Sequence, residues 1–481
     1  VVQQNVDKLR LARQRDFLEE AIIEDDARAI LAAGLAAVEP RRAVRQALNG
    51  WLRDGELTLD AVDRIFLIGA GKAAPGMALG VLDVLPRPLT HGVLVTKDGH
   101  SQPVPGVDVF EAAHPVPDQR ALAGAERALA LASEAGRDDL VFCVLSGGAS
   151  ALWTLPVAGV SLEDVQAVTG ALLGAGATIG ELNAVRKHLS RIAGGQLARA
   201  LDPARLVTLA ISDVVGSRPD VIGSGPTVPD STTYGDALAV VETRRVNPPH
   251  AVWEHLRAGA DGLVPETPKP DQRDVRPHLY CVVADNLVAL RGAEAAARDR
   301  GYRTLVITTR LEGEAREVGS FVAGLAVSVL HDGLPFGPPA ALLLGGETTV
   351  HLRGNGHGGR NQELALAAAL ALDGVPDVLV ASLGTDGTDG PTNAAGGIVS
   401  GATLPHGRDL GLHARDFLER NDAYHYLEAT GGLLVTGPTG TNVNDVVLVL
   451  VRPADAGTNV AATDADPGTK VPDSRDEGES Q

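Results

Sequence analysis

RIFLIGAGKAAPGM, residues 64–77, is the stretch on which the fold turns. Its apolar run from Ile65 to Ile68 breaks into Gly69-Ala70-Gly71-Lys72, and the residues that follow have a helical composition. A run that is apolar at every position has no solvent face, so it reads as a strand covered on both sides, as in the parallel sheets of α/β proteins. The pattern recurs in GVLVTKDGH (92–100), VDVFEAAHP (107–115), DLVFCVLSGGAS (139–150) and ARLVTLAISDVVG (204–216), with Ala/Leu-rich stretches between them. Strands alternating with helices predict a doubly wound parallel sheet. Upstream, Leu11, Leu18, Ile22 and Ile30 recur at helical spacing, and Pro40 fits the first position of a second helix carrying Val44 and Leu48.

Downstream, AGADGLVPETPKPDQRDVRPH (258–278) holds four prolines and has the composition of a connection. A second alternating series follows: HLYCVVADN (278–286), YRTLVITTR (302–310), AALLLGGETTVHL (340–352), DVLVASLGTDGTDG (377–390) and GGLLVTGPTGTNVNDVVLVLV (431–451). The expected organisation is a first α/β domain over 1–257, a linker over 258–277, a smaller α/β domain over 278–452, and a disordered tail over 453–481. A length of 481 residues accommodates two domains, each with its own core.

The tail carries seven acids against two bases, and the whole chain has 61 Asp and Glu against 42 Lys and Arg, a formal charge of -19. That sign opposes a polyanionic partner, so nucleic acid and anionic membrane are excluded as targets. Aromatics at 3% are too few for a base-stacking platform. Cys143 and Cys281, each inside an apolar run, read as buried thiols in a reducing compartment. No stretch has the roughly 20 apolar residues of a membrane span, so a cytoplasmic location is expected. The chain opens at Val1 without Met, which leaves room for an upstream segment.

The chemistry is expected where strands end. GAGKAAPG, SGGAS, SDVVGSRPDVIGSGPT, GGETT, GTDGTDG and TGPTGTN each follow an apolar run, and glycines there let backbone N–H groups approach an anion. Six such loops point to an anionic or phosphorylated ligand. The candidate binding residues are Gly69, Gly71, Ser146, Gly147, Gly148, Ser224, Gly225, Thr227, Glu347 and Asn361. Segment 178–199 reads as one helix with Asn183, Arg186, Lys187 and Ser190 on one stripe, which suits either a carboxylate or phosphate or a solvated face.

Lys72 is one of six lysines against 36 arginines and stands beside whatever anion its loop holds. Arg360, within GHGGRNQE, starts a helix, where its charge opposes the helix dipole unless an anion lies near. Asp386 and Asp389 share a strand-end loop and offer hard oxygens for Mg²⁺, or else structure the turn. Asp213 follows another strand and is a candidate base. There is no Walker A sequence, no protein-kinase motif set and no Cys/His metal cluster. Gly69-Ala70-Gly71-Lys72-Ala73-Ala74 loosely matches the dinucleotide pattern, but Thr96-Lys97-Asp98 does not close the next strand with the required acid.

Taken in order, GAGKAAPGM, HPVPDQ, LSGGASAL, ELNAVRKHLSRIAGG, SDVVGSRPDVIGSGPTVPD, ETPKP, GGETTV, GHGGRNQELALA, GTDGTDGPTNAAGG and TGPTGTNVND resemble the glycerate 2-kinase family with a C-terminal MOFRL domain, some members of which were once labelled hydroxypyruvate reductases. The resemblance runs from about residue 17 to 451. It implies a Rossmann-like first domain, a smaller α/β second domain and an active site between them. It also implies ATP- and Mg²⁺-dependent phosphorylation of D-glycerate at its 2-hydroxyl, and it admits a homodimer. Lys72 and Arg360 match the basic residues assigned to the family's active site; Asp213 and Asp386 are the candidates for general-base or metal work. Ala193 departs from the pattern, where a lysine is expected. The rival readings are an NAD(P)H-dependent hydroxypyruvate reductase and a non-catalytic sugar-phosphate-binding module.

Overall fold

The computed structural model describes residues 21–60, 62–271, 275–276 and 278–453. Leu11, Leu18 and the expected tail beyond residue 453 lie outside the described residues. Helix 21–37 carries Ile30 in the core, and Pro40 opens the helix Pro40–Asp54, whose N-cap Glu39 accepts hydrogen bonds from the backbone N–H groups of Arg41 and Arg42.

The first sheet contains β1 (Ile65–Ala70), β2 (His91–Lys97), β3 (Val107–Ala112), β4 (Leu140–Leu145), β5 (Arg205–Ile211) and β6 (Leu279–Ala284), in the order β3-β2-β1-β4-β5-β6. Every pairing in it is parallel. β1 and β4 are buried at every position, which explains their uninterrupted apolar sequence. On one face Ile65, Leu67, Phe142 and Val144 pack into a core with Ile30, Val44, Met77 and Leu290; on the other, Phe66, Ile68, Val141 and Cys143 pack against Ala121, Ala125 and Ala128. The sheet is therefore doubly wound, with its strand order reversing between β1 and β4.

The second sheet contains β7 (Arg303–Leu311), β8 (Ala340–Gly346), β9 (Val378–Gly384), β10 (Gly396–Ser400), β11 (Leu433–Leu434) and β12 (Asp445–Val451), in the order β11-β10-β9-β12-β8-β7. It is mixed: only β7 and β8 pair in parallel, and β12 runs antiparallel between β8 and β9. The core that covers the first sheet continues to Leu343, Leu379, Leu383 and Leu448 of the second. Helix 21–37 and the helix Asn286–Asp299 lie against each other in that layer, where an added Cβ at Gly292 would stand 2.5 Å from the Ala37 Cβ.

Two expectations need correction. The run 278–286, expected to open the second domain, is β6, the edge strand of the first sheet. Residues 258–277 therefore join two parts of the first domain, and the chain passes between the sheets along Asn286–Asp299. Proline content marks irregular chain but carries no information about which sheet its flanks join. The Pro-rich segment returns from a small helical lobe in which Leu172, Leu182, Val185, Val241, Val252 and Leu256 form a separate core. Segment 178–199 is also not one helix. It forms Ile179–His188 and Gln196–Leu201, broken where Gly194 and Gly195 take φ of 60° and 81°.

Candidate active site

The reversal between β1 and β4 brings two glycine loops together. Ser146 N–H donates to Ala70 O at 3.1 Å, Lys72 N–H donates to Gly147 O at 3.0 Å, and Ala73 N–H donates to Ser146 Oγ at 3.0 Å. Gly71 is obligatory here: its φ is 129°, and a Cβ would lie 2.1 Å from Ser146 Oγ. At Gly147 a Cβ would lie 2.4 Å from Asp213 Oδ2, so Asp213, just past β5, leans directly on the loop after β4. Lys72, Ser146, Gly147, Gly148 and Asp213 thus share the carboxyl edge of the first sheet.

The second sheet presents its own edge to them. Glu347 follows β8, Asp386 follows β9, and Asp445 begins β12, where it pairs in register with Gly346 and Gly384. Arg360 opens the helix Arg360–Ala371. Its Nε and Nη2 donate to Asp445 Oδ2 and Oδ1 at 2.6 and 2.9 Å, and its Nη1 lies 2.7 Å from Glu347 Oε1. The anion demanded by an arginine at a helix N-terminus is thus supplied by carboxylates of the protein. Two contacts cross between the sheets: Lys72 Nζ stands 3.7 Å from Asp386 Oδ2, and Asn442 Nδ2 donates to Asp213 Oδ2 at 3.2 Å.

Electrostatics tie these groups into one cluster. Burial raises the Asp213 carboxyl above the usual carboxylate range; the Lys72 ammonium opposes that shift and Asp386 adds to it. Burial likewise raises Glu347, with Arg360 opposing and Asp445, Asp213 and Asp386 adding. Burial would lower the Arg360 guanidinium, but Asp445 and Glu347 outweigh it and hold the group above its ordinary value. Burial and the positive charges of Lys72, Lys97 and His100 push His114 down to about 4, leaving a neutral imidazole beside Gly148. A fixed cation from each sheet, a glycine loop and a half-buried carboxylate of raised affinity for protons suit transfer of an anionic group to a hydroxyl.

Comparison with known proteins agrees. The family described as "Domain of unknown function (DUF4147)" matches residues 26–257, and the MOFRL family matches residues 340–445. The chain is 44% identical over 423 residues to the D-glycerate 2-kinase of Thermotoga maritima, covering 88% of this chain and 97% of that protein. The crystal structure of glycerate kinase from Thermotoga maritima superposes with a TM-score of 0.82 at 43% identity, covering 90% of this chain and all of that one. This chain belongs to the glycerate 2-kinase family. A putative hydroxypyruvate reductase of Agrobacterium vitis is 42% identical over 426 residues, covering 88% of this chain and 93% of that protein, so both labels occur among its relatives.

The geometry weighs against dinucleotide binding in this member of the glycerate 2-kinase family. The amides of Lys72 and Ala73, which a pyrophosphate would need, are engaged by Gly147 and Ser146. Asp98, the acid nearest the end of β2, is held by both Nη atoms of Arg120 at 2.6 and 2.8 Å.

Several predicted site residues lie elsewhere. Asp389 does not pair with Asp386 as a metal site. Its Oδ1 and Oδ2 accept from the backbone N–H groups of Asn361 and Gln362 at 3.1 and 2.9 Å, capping the helix that Arg360 begins. Asn361 is buried beneath the site, donating to Asp389 and accepting from Ser382 Oγ. Lys187 is buried with Asp230, 3.1 Å away, so at this position the stripe is neither an open anion site nor a solvated face. Thr227 is buried against Thr208, Gly69 packs on Val144, and Gly225 packs on Asp220. Arg186 and Ser224 line a separate cavity in the first domain, and buried Asn183 accepts from Ser224 Oγ at 3.2 Å.

Two residues of the candidate site were not singled out in the sequence, Asp445 and Asn442, although Asn442 ends the TGPTGTN loop. Both stand just before the apolar run that becomes β12. Because β12 is antiparallel to β8 and β9, its amino end lies at the edge where their carboxyl ends lie. The cue was available in TGPTGTNVND, but its use required the strand direction.

Among the described residues no helix is long and apolar enough to cross a membrane, and no group of three or more His, Cys, Asp or Glu is arranged to hold a metal. Cys143 and Cys281 are free thiols within β4 and β6.

Proposed function

We propose that this chain transfers the γ-phosphoryl group of ATP to the 2-hydroxyl of D-glycerate. The observation that carries the reading is the meeting of Lys72 and Asp213 from the first sheet with Arg360 and Asp386 from the second. Glycerate brings a carboxylate and ATP a triphosphate, and each finds a fixed cation. Lys72, beside the Ser146–Gly148 loop, meets the transferring phosphoryl group. Asp445 occupies the Nε/Nη2 edge of Arg360 and Glu347 lies 2.7 Å from Nη1, so the glycerate carboxylate reaches the Nη1/Nη2 end by displacing the more exposed Glu347.

Asp213 accepts the proton of the 2-hydroxyl as the new O–P bond forms and the bond to ADP breaks. Its burial favours the protonated product of that step. Asp386 is the residue that would hold Mg²⁺. One carboxylate, with no cluster of three or more metal-binding side chains among the described residues, fits an ion whose remaining coordination comes from phosphate and water, and the ion would neutralise phosphate charge.

Incubation with D-glycerate, ATP and Mg²⁺, followed by separation of the phosphoglycerates, tests the reading. ADP together with 2-phosphoglycerate is expected. No ADP, the 3-isomer alone, or NAD(P)H oxidation with hydroxypyruvate would overturn it.

A further inference from the structure

The kinase reading leaves unassigned the part of the molecule that would hold the base of the nucleotide. The groups that meet between the sheets are charged side chains and glycine backbone, which suit phosphate and carboxylate; a base needs an apolar slot, and one lies in the first domain. A cavity of about 200 Å³ opens in the first domain, walled by Trp153, Leu155, Val165, Leu173 and Leu189, with Ser150, Arg186 and Ser224 among its polar groups.

Its position follows from the chain. One wall begins at Pro115, directly after the His114 that stands 3.1 Å from where a Gly148 Cβ would be. Another begins at Ser150, two residues past Gly148. A ligand seated in the cavity with one end at the Gly147-Gly148 turn would therefore point that end at Lys72, whose N–H is bonded to Gly147 O.

Arg186 supplies the second observation. Among the described residues no carboxylate or other acceptor partners its guanidinium, and burial lowers its pKa with nothing to offset the loss of hydration. Arg186 is half-buried, and the more deeply buried cations near it are paired, Lys187 with Asp230 and Lys269 with Glu266. A cation held against apolar walls without a counter-charge is unfavourable unless a ligand completes it. Beside it, Ser224 holds a left-handed φ of 61° and donates to Asn183 Oδ1 at 3.2 Å, while its Oγ lies 2.9 Å from Ser150 Oγ. That is a strained, fixed polar rim of the kind found at binding sites. The Trp153 indole N–H is buried without an acceptor. Glycerate is too small and too polar for such walls, whereas a purine presents an aromatic face and a few polar edges.

We propose that this cavity takes the base and ribose of the nucleotide donor, with Arg186 meeting its phosphate chain on the way to Lys72. The identity of the ligand rests on the kinase reading; the apolar slot and its unpaired cation do not.

Tryptophan emission of the full chain, titrated with adenosine and separately with ADP, tests this without turnover. Adenosine should change the emission of the wild type, and Trp153→Phe should abolish the change. Arg186→Gln should weaken ADP binding and raise KM for ATP about tenfold or more, leaving adenosine binding and KM for D-glycerate nearly unchanged. Gly170→Phe is a second route: a Cβ at Gly170 meets nothing within 4 Å, and a ring there enters the cavity wall. It should raise KM for ATP and weaken adenosine as well. No emission change with adenosine, an unmoved KM for ATP in both variants, or a KM change confined to D-glycerate would overturn the assignment. Adenosine binding by a wild-type protein that makes no ADP would sink the kinase reading while leaving the cavity assignment standing.

Discussion

Asn442 donates a hydrogen bond to Asp213 across 229 positions of sequence, fixing one oxygen of a half-buried carboxylate from the opposite domain. The Lys72 ammonium works against the burial that raises Asp213. The Asn442 N–H is a donor to the ionised form and acts in the same direction. If Asp213 accepts the substrate proton, the acid limb of the kcat/KM profile lies above the range of an exposed aspartate. Asn442→Ala, with the donor removed, should shift that limb to higher pH. Asp213→Asn should abolish the limb together with most of the activity. A limb unmoved in Asn442→Ala would detach Asp213 from proton transfer.

Lys72→Ala and Arg360→Ala should each lower kcat about 10²-fold or more while the fold survives, the scale at which preorganised charge contacts contribute. Steady-state kinetics beside a thermal melt separates the two effects. Arg360→Lys should rescue poorly, since an ammonium cannot reproduce the fork that Asp445 and Glu347 hold. Near-normal kinetics in either alanine variant would return that residue to a structural role.

Asp445 is a positioning residue. Asp445→Asn keeps the shape but replaces one of its two acceptors with a donor facing a guanidinium. A fall in kcat and a rise in KM for D-glycerate are expected, with KM for ATP less affected. Equal changes in both KM values would show that Asp445 does not act through the orientation of Arg360.

Lys187 lies in the core of the first domain, and Asp230 also accepts from Thr232 and Thr267. Asp230→Asn leaves the buried Lys187 ammonium with only the Asp220 carboxylate, 3.8 Å away, so it should cost about 3 kcal/mol of stability, read from denaturant unfolding. Activity of the remaining folded protein should change little. A loss of kcat without loss of stability would restore Lys187 to the substrate site.

His114 titrates near 4 when folded and near its ordinary value when unfolded. Its contribution is full above about pH 6.5 and is lost as pH falls from there to about 4, because the unfolded chain takes up the proton first. Stability measured across that window should fall less steeply in His114→Gln than in the wild type. Parallel curves would show that the imidazole is solvated as fully when folded as when unfolded.

The architecture was legible wherever an element's environment is written in its own residues. β1 and β4 are apolar throughout because both of their faces are covered, and the glycines after them are required because Gly71 has no room for a Cβ. Lys72, Asp213, Arg360 and Asp386 were singled out by the same local logic, as charges at strand ends and at a helix start, and the fold brings them near one another. Partnership was not legible. β6 has the composition of any buried strand, and only pairing assigns it to the first sheet. Asp386 and Asp389 look equivalent in GTDGTDG, yet one faces Lys72 and the other caps a helix, because the loop turns between them. Sequence determined which segments bury and where the chain must bend, since burial and backbone strain act on each residue singly. Tertiary structure alone decided which charges meet, since Coulombic and hydrogen-bonding partners are chosen by strand direction and by packing across hundreds of positions.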